Sequence, residues 1–157
     1  MMECKLRKVT ISDVTALLPL MKQLGYTIAE EDLTARLALY THSRNDIAWV
    51  AVTPDDEILG CIALHKYDLF HSNARYARIV TLIVKDTYRR QGIGTKLIRR
   101  AERHAARRNC AALELSCSVK RRAETQDFYR SEGYISDKEE GSNYFIKHLK
   151  PKIGPEV

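Results

Sequence analysis

The segment from Ile79 to Arg108 constrains the fold more than any other part of this chain. The apolar run Ile79–Val84 is typical of a buried strand, and apolar residues recur at helical spacing from Ile93 onward. Between them lies the turn Arg89-Arg90-Gln91-Gly92-Ile93-Gly94-Thr95. Glycines let a backbone approach a ligand closely, and the first N–H groups of a helix attract anions. The segment therefore predicts a strand–turn–helix unit that binds a pyrophosphate-bearing ligand.

The turn matches neither of two widespread phosphate-binding motifs. A P-loop needs Gly-Lys followed by Ser or Thr, whereas Gly94 is followed by Thr95 and then Lys96. A Rossmann fingerprint needs a third glycine where Leu97 stands, and it opens the first βαβ unit of its domain. This turn lies beyond the middle of the chain, so neither motif accounts for it.

The rest of the chain predicts an α/β fold of the mixed-sheet, α+β type. Ser12 or Asp13 is expected to cap the first helix and Gly25 to end it, and Pro19 favours a kink or an early break. Strands grouped in mid-chain, then alternating strands and helices, favour a mixed sheet with helices on both faces. We expect strands at 3–9, 47–52, 58–64, 76–84, 112–117 and 144–149, a further short strand near Tyr134-Ile135, helices at 12–24, 30–41, 93–108 and 123–130, and a polar loop at 66–75.

Length and composition indicate one soluble domain. The 157 residues suit a single core, expected over residues 1–150 with a tail at 151–157. No apolar run reaches the roughly 20 residues of a membrane span, and no signal peptide opens the sequence. Four cysteines without a C-x-x-C pair favour reduced core thiols over a zinc site. We therefore expect a cytoplasmic protein that is not bound to membranes.

Two motifs in sequence resemble one enzyme family. The pattern Arg/Gln-x-x-Gly-x-Gly/Ala fits Arg89–Gly94 completely, and Phe128-Tyr129-x-x-x-Gly133-Tyr134 follows downstream. Together they resemble the GNAT superfamily of N-acetyltransferases. The resemblance implies a GNAT-like central, mostly antiparallel sheet of six to seven strands with a splayed central strand pair. The segments Glu114–Arg121 and Phe128–Tyr134 are similar to its small-amine branch, the aminoalkylphosphonate N-acetyltransferases in particular.

The resemblance also implies acetyl-CoA as co-substrate and the residues that bind it. Backbone N–H groups of the glycine turn would hold the pyrophosphate with the help of two arginines. The strand before the turn would offer main-chain groups to the pantetheine amides, and a backbone N–H near Ile83 would polarise the acetyl carbonyl. The expected cofactor-binding residues are Leu82, Ile83, Val84, Arg89, Arg90, Gln91, Gly92, Ile93, Gly94, Thr95 and Tyr129.

The family's general acid has a match in this chain, but its usual general base does not. Tyr129 stands where the family has a tyrosine that protonates the departing thiolate, and a phenol is a suitable donor at neutral pH. Many members place a Glu on the central strand, where this chain has Arg78 and Thr81. The remaining base candidates are His65 and His71.

The acceptor site is expected around Arg78, Thr81 and Asp68. His65-x-x-Asp68-x-x-His71 is also conceivable as a metal site, although we assign no metal. The acceptor is expected to be a small amine. If the acceptor carries an acidic group, five basic residues could attract it. The same residues fit equally well on a solvated face or beside the 3′-phosphate of the cofactor. They are Arg75, Arg78, Lys120, Arg121 and Arg122.

Two other functions compete with a small-molecule acetyltransferase. A protein or peptide N-acetyltransferase would share every motif above. A non-catalytic acyl-CoA-binding or nucleic-acid-binding module would fit the net charge of +6 and the basic cluster Arg99, Arg100, Arg103, Arg107 and Arg108. No nucleic-acid motif is evident, so nucleic acid is not the expected partner. Dimers are common in the resembled superfamily, and a homodimer is one expected assembly.

Overall fold

The computed structural model describes residues 3–117, 122–136 and 143–150. Within them, strands and helices follow the predicted order. The elements are β1 Lys5–Lys8, α1 Val14–Leu24, α2 Glu30–His42, β2 Asp46–Val52, β3 Ile58–Asp68, β4 Arg75–Val84, α3 Ile93–Arg107, β5 Cys110–Ser116, α4 Arg122–Ser131 and β6 Tyr144–His148, with short 3-10 turns at Ile11–Asp13 and Asp86–Tyr88. No helix in the described ranges is long and apolar enough to cross a membrane.

The described strands form one mixed sheet in the order β1-β2-β3-β4-β5-β6. The pairs β1–β2, β2–β3 and β5–β6 are antiparallel, whereas β4 and β5 are parallel. The ladder between β4 and β5 pairs Arg75–Arg78 with Cys110–Glu114, and β4 continues beyond it to Val84. The mixed, mostly antiparallel sheet of the prediction is confirmed. The expected extra strand is an isolated bridge between Ile135 and Ile146.

The described residues separate into two compact units. The first comprises the chain up to His65 together with Val80–Ala101, and the second comprises Lys66–Ile79 and the chain from Glu102 onward. A single domain over residues 1–150 stays a prediction, and the predicted tail at 151–157 lies outside the described residues.

In the first unit, both faces of the central strands are covered. Trp49–Val52 in β2 and Ile58–Leu64 in β3 are buried without alternation, which is typical of strands with packing on each side. One face packs on α1 and α2 through a single cluster: Val14, Leu17, Leu20, Leu33, Leu37, Ala48, Val50, Cys61 and Ala63. The predicted apolar faces of both helices therefore form the core.

Gly60 marks the contact of β3 with β4 and with the start of α3. A Cβ atom at position 60 would lie 2.8 Å from the carbonyl oxygen of Ile83 and 3.2 Å from Leu97 Cδ1. Both Ile93 and Leu97 are fully buried. Glycine is required here for space, because its backbone lies against another backbone group.

In the second unit, aromatic rings pack between α4 and β6. Tyr129 lies 5.8 Å from Tyr134 and 6.0 Å from Phe145 between ring centroids. The Tyr134 hydroxyl donates to Glu102 at 3.0 Å, and Lys147 Nζ contacts the same carboxylate at 2.9 Å. These polar contacts satisfy groups that burial would otherwise leave without partners.

Two expectations about the first helix are met only in part. Asp13 stands at the N-cap position of α1, but its side chain makes no capping hydrogen bond, because its carboxylate accepts the Thr10 N–H at 2.8 Å and pairs with Arg7. Pro19 neither breaks nor shortens the helix, which runs to Leu24. Both Pro19 and Thr15, whose carbonyl loses its donor, are exposed, so water can replace that hydrogen bond. Gly25 ends the helix as predicted, at φ 107°.

The polar loop predicted at 66–75 is shorter than expected. β3 extends to Asp68 and β4 begins at Arg75, which leaves residues 69–74 as the connection. Residues 65–67 are half-buried and Asp68 is exposed, so the strand continues past the apolar run from which it was predicted.

Substituting Gly60 with Ala tests the close approach to Ile83. We expect the free energy of unfolding to fall by about 1–3 kcal/mol, the usual cost of overpacking a tight core site. Urea denaturation measures it, and Gly60→Val should cost more than Gly60→Ala. An unchanged midpoint for both variants would show that the two strands separate without penalty.

Candidate functional site

The backbone between β4 and α3 forms a tight turn that ends on a helix N-terminus. Lys85 N–H donates to the Leu59 carbonyl at 2.8 Å, which fixes the end of β4. Arg90 and Gly92 have positive φ angles of 60° and 81°. The Lys96 N–H donates to the Gly92 carbonyl at 3.1 Å and makes the first bond of α3. The N–H groups of Ile93 and Gly94 precede this bond and lie at the positive end of the helix.

Cationic side chains flank this helix end. Arg89 and Arg90 are both exposed, and Arg89 Nη2 lies 2.7 Å from Asp86 Oδ1. An ion pair between exposed side chains contributes little stability, so Arg89 can exchange Asp86 for another anion at small cost. Charge and N–H donors thus lie together, as the sequence predicted for a phosphate site.

Gln23 of α1 holds the start of this turn. Its Nε2 donates to the Val84 carbonyl at 2.8 Å, and its Oε1 accepts the Asp86 N–H at 3.0 Å. Sequence reasoning missed Gln23, since a polar residue on an amphipathic helix carries no sign of a partner 61 positions away. The contact also engages the carbonyl of Val84, one of the main-chain groups expected to meet the pantetheine arm.

The strand residues expected beside the cofactor differ in burial. Ile83 is buried, and Thr81, Leu82 and Val84 are half-buried. Alternation along a strand accounts for this difference, because Ile83 points into the core and its neighbours do not.

Tyr129 is held by the end of its own helix. Gly133 N–H donates to Arg130 O at 3.0 Å and Tyr134 N–H to Tyr129 O at 2.9 Å, with Gly133 at φ 90°. This is a Schellman motif, so the glycine and second tyrosine of Phe-Tyr-x-x-x-Gly-Tyr form the helix stop. Burial raises the pKa of the Tyr129 phenol, which keeps it protonated at neutral pH. The phenol makes no hydrogen bond among the described residues.

The two histidines have different surroundings. His65 lies in β3, and its Nδ1 is 2.8 Å from Asp46 Oδ1. Ser43 Oγ donates to the other oxygen of Asp46 at 2.7 Å. His71 is exposed in the 69–74 connection. A carboxylate thus orients the ring of His65.

The predicted substrate residue Asp68 is paired within its own unit. Arg75 Nε donates to Asp68 Oδ1 at 2.7 Å, and Arg75 Nη1 donates to the Arg108 carbonyl at 3.2 Å. The hydrogen bond from Arg75 lowers the pKa of Asp68. In the described part of the chain, no group of three His, Cys, Asp or Glu side chains is arranged to hold a metal.

Arg78 lies beside a buried carboxylate that sequence reasoning missed. Arg78 is the register partner of Glu114, and its Nη1 lies 3.8 Å from Glu114 Oε1. Tyr67 and Tyr144 also donate hydrogen bonds to Glu114. The signal was an acidic residue within the apolar run Ala111–Leu115. Lys120 and Arg121 lie outside the described residues, as does the side chain of Arg122.

Comparison with known proteins decides the family. A model of the acetyltransferase (GNAT) family matches residues 13–134. The chain belongs to the GNAT acetyltransferase family. It is therefore an acyltransferase, and the non-catalytic alternative loses its support.

Relatives agree with this assignment. The aminoalkylphosphonate N-acetyltransferase of Salmonella typhimurium is 29% identical over 137 residues, covering 83% of this chain and 84% of that protein. The PaiA N-acetyltransferase of Thermoplasma acidophilum, solved with coenzyme A, superposes with a TM-score of 0.76 at 18% identity, over 94% of this chain and all of that one. NAA60 of Arabidopsis thaliana, solved with a bisubstrate analogue, gives 0.78 at 16% identity, over 96% and 100%. These two solved structures share the fold of this chain.

Substituting Gln23 with Leu tests its hold on the turn. We expect the Asp86 amide to exchange with solvent faster, because it loses its acceptor, and the stability to fall by about 1 kcal/mol. Hydrogen exchange resolved by residue measures the effect. The Lys85 amide, which donates to Leu59 instead, should keep its protection; equal acceleration at both amides would indicate general loosening.

Proposed function

We propose that this chain transfers the acetyl group of acetyl-CoA to the primary amine of a small molecule. The observation that carries the proposal is the glycine turn with its two exposed arginines at the N-terminus of α3. Family membership supports acetyl-CoA as the donor, since GNAT enzymes use it. The name of the Salmonella relative supports a small amine as the acceptor.

The cofactor's pyrophosphate is assigned to the backbone N–H groups of Gln91–Thr95. Negative oxygens are favoured there by the helix dipole and by Arg89 and Arg90. The main chain of Leu82 and Val84 is assigned to the pantetheine amides, and the Val84 carbonyl also accepts a hydrogen bond from Gln23. A backbone N–H near Ile83 is assigned to the acetyl carbonyl, where it would stabilise the oxyanion.

Starting from the ammonium form, the amine loses one proton before it attacks and a second as the tetrahedral intermediate collapses, and the departing thiolate gains one. The neutral amine attacks the thioester carbon, and the C–S bond of the tetrahedral intermediate then breaks. We assign Tyr129 as the acid that protonates the departing thiolate, supported by its position in the Phe-Tyr motif and by a protonated phenol that makes no hydrogen bond to the residues that the structure describes. A histidine base would use His65 before His71, because Asp46 orients the ring of His65.

The acceptor is assigned as a small amine, and Arg78 and Thr81 are assigned to its binding. The alternative acceptor is the N-terminus of a peptide. A thiol-release screen separates the two classes. Its acceptors are aminophosphonates, polyamines, amino acids, aminoglycosides and peptides. Turnover of peptides alone would replace the small-molecule assignment.

Acetyl-CoA should raise the melting temperature of the protein. At about 100 times its Kd, a ligand stabilises by about 2.7 kcal/mol, or roughly 5–10 °C for a chain of this size. Gly92→Ala should reduce this shift, because an alanine at φ 81° costs about 1–2 kcal/mol and distorts the turn. Thermal denaturation with and without acetyl-CoA measures both effects.

The matched control for Gly92→Ala is Gly25→Ala. Position 25 has a φ of 107° and nothing within 4 Å of an added Cβ, so the strain is comparable but lies at the end of α1. The control should lower the melting temperature of the ligand-free protein and keep the full shift with acetyl-CoA. A full shift in Gly92→Ala would remove the turn from the cofactor site.

Replacing Tyr129 with Phe should lower kcat by about 100-fold, the usual contribution of a general acid. The affinity for acetyl-CoA should change little, because the ring and its packing remain. The control is Tyr134→Phe, which loses the hydrogen bond to Glu102 but removes no proposed acid. Steady-state kinetics with a saturating amine measures kcat. If Tyr129→Phe retains the kcat of the unmodified protein, another group protonates the thiolate.

A further inference from the structure

Glu114 is a buried carboxylate without a role in the reaction described so far. It is 6% exposed. The other buried acid among the described residues is Asp13, whose carboxylate accepts two hydrogen bonds from Arg7. Burying a carboxylate is costly unless it is hydrogen-bonded, so its partners indicate what the group is for.

The direct partners of Glu114 are two phenols. Tyr67 donates to Oε1 and Tyr144 donates to Oε2. Arg78 Nη1, at 3.8 Å from Oε1, is too far for a hydrogen bond, and its Nη2 donates to Ser116 Oγ at 2.9 Å instead. The carboxylate therefore lacks a forked arginine contact.

These phenols cover the carboxylate. Tyr67 and Tyr144 are half-buried, and the side chain of Arg78 is 37% exposed. Arg78, a residue already assigned to the acceptor, lies 3.8 Å from Oε1, the same oxygen that Tyr67 contacts. A hydroxyl can accept one proton while it donates another, so each phenol can connect a bound amine with Glu114.

We propose that Glu114 accepts the proton that the protonated acceptor amine loses before it attacks, and that Tyr67 relays it. The inference rests on the proposed function. One N–H bond of the ammonium breaks as an O–H bond forms on the Tyr67 oxygen, and the original Tyr67 O–H bond breaks as one forms on Glu114 Oε1. The amine becomes neutral and nucleophilic, Glu114 becomes neutral, and Tyr67 remains a phenol throughout.

The contacts favour Tyr67 over Tyr144 as the relay. Tyr67 and Arg78 both approach Oε1, whereas Tyr144 holds Oε2 and so positions the carboxylate. Burial, then the hydrogen bond to Glu114, raises the pKa of Tyr67 to about 12. Tyr67 is thus no base by itself, and a concerted relay needs no phenolate.

The test compares amine acetylation by Glu114→Gln and Tyr67→Phe with the unmodified protein across pH. Near neutral pH, kcat/KM should fall about 100-fold in both variants. The gap should narrow by about tenfold for each unit that the pH rises toward the amine's own pKa, because the neutral fraction of the free amine rises by the same factor. A role in folding alone would not produce this dependence.

Tyr76→Phe is the matched control. Its ring packs edge-on to Tyr67 at 6.2 Å, but its hydroxyl makes no hydrogen bond among the described residues. The control should keep the rate and pH profile of the unmodified protein. An equal loss in Tyr76→Phe would overturn the proposal in favour of a packing role.

Two results would overturn the relay. One is an unchanged pH profile in both Glu114→Gln and Tyr67→Phe. The other is a kcat/KM deficit that narrows with rising pH in His65→Ala instead of in those two variants. If Glu114→Gln does not fold, Tyr67→Phe decides alone, since it keeps both the ring and the carboxylate. Acetyl-CoA should shift the melting temperature of every variant equally; absence of any shift and of any acceptor in the unmodified protein would defeat the proposed function itself.

Discussion

The close approach of Gly60 to the Ile83 carbonyl underlies the geometry of the glycine turn. Where β3 has no side chain, β4 comes near enough for backbone contact, and Ile93 and Leu97 pack over the same spot. The end of β4 and the first turn of α3 are thereby fixed to one strand. The turn between them has little freedom, and preorganised N–H donors bind an anion without first ordering the chain.

A second constraint acts at the other motif. The Schellman motif at Gly133 ends α4 one turn after Tyr129, and the buried Tyr134 is anchored by Glu102. Three residues of the motif thus have separate tasks: Tyr129 carries the phenol, Gly133 ends the helix in the left-handed conformation, and Tyr134 anchors the segment to Glu102. A motif that looks like one chemical signature is largely a device for holding one ring in place.

Sequence reasoning succeeded where local pattern decides structure. The apolar face of α3 from Ile93 to Ala105, the helix stop at Gly25 and the element order all follow from periodicity and glycine placement. It failed where a side chain contacts residues that are distant in sequence. Asp13 pairs with Arg7 instead of capping its helix, and Gln23 bonds the Val84 carbonyl and the Asp86 N–H. Glu114 accepts hydrogen bonds from two tyrosines on other strands. Such contacts depend on tertiary placement, which no local window contains.

Arg90 combines a left-handed backbone conformation with a charged side chain. It is a bulky residue in the left-handed region, at φ 60°, where glycine would be unstrained. Arg90→Gly would relieve backbone strain of about 1 kcal/mol and would also remove one cation from the turn. Backbone conformation and positive charge therefore favour different residues at this position.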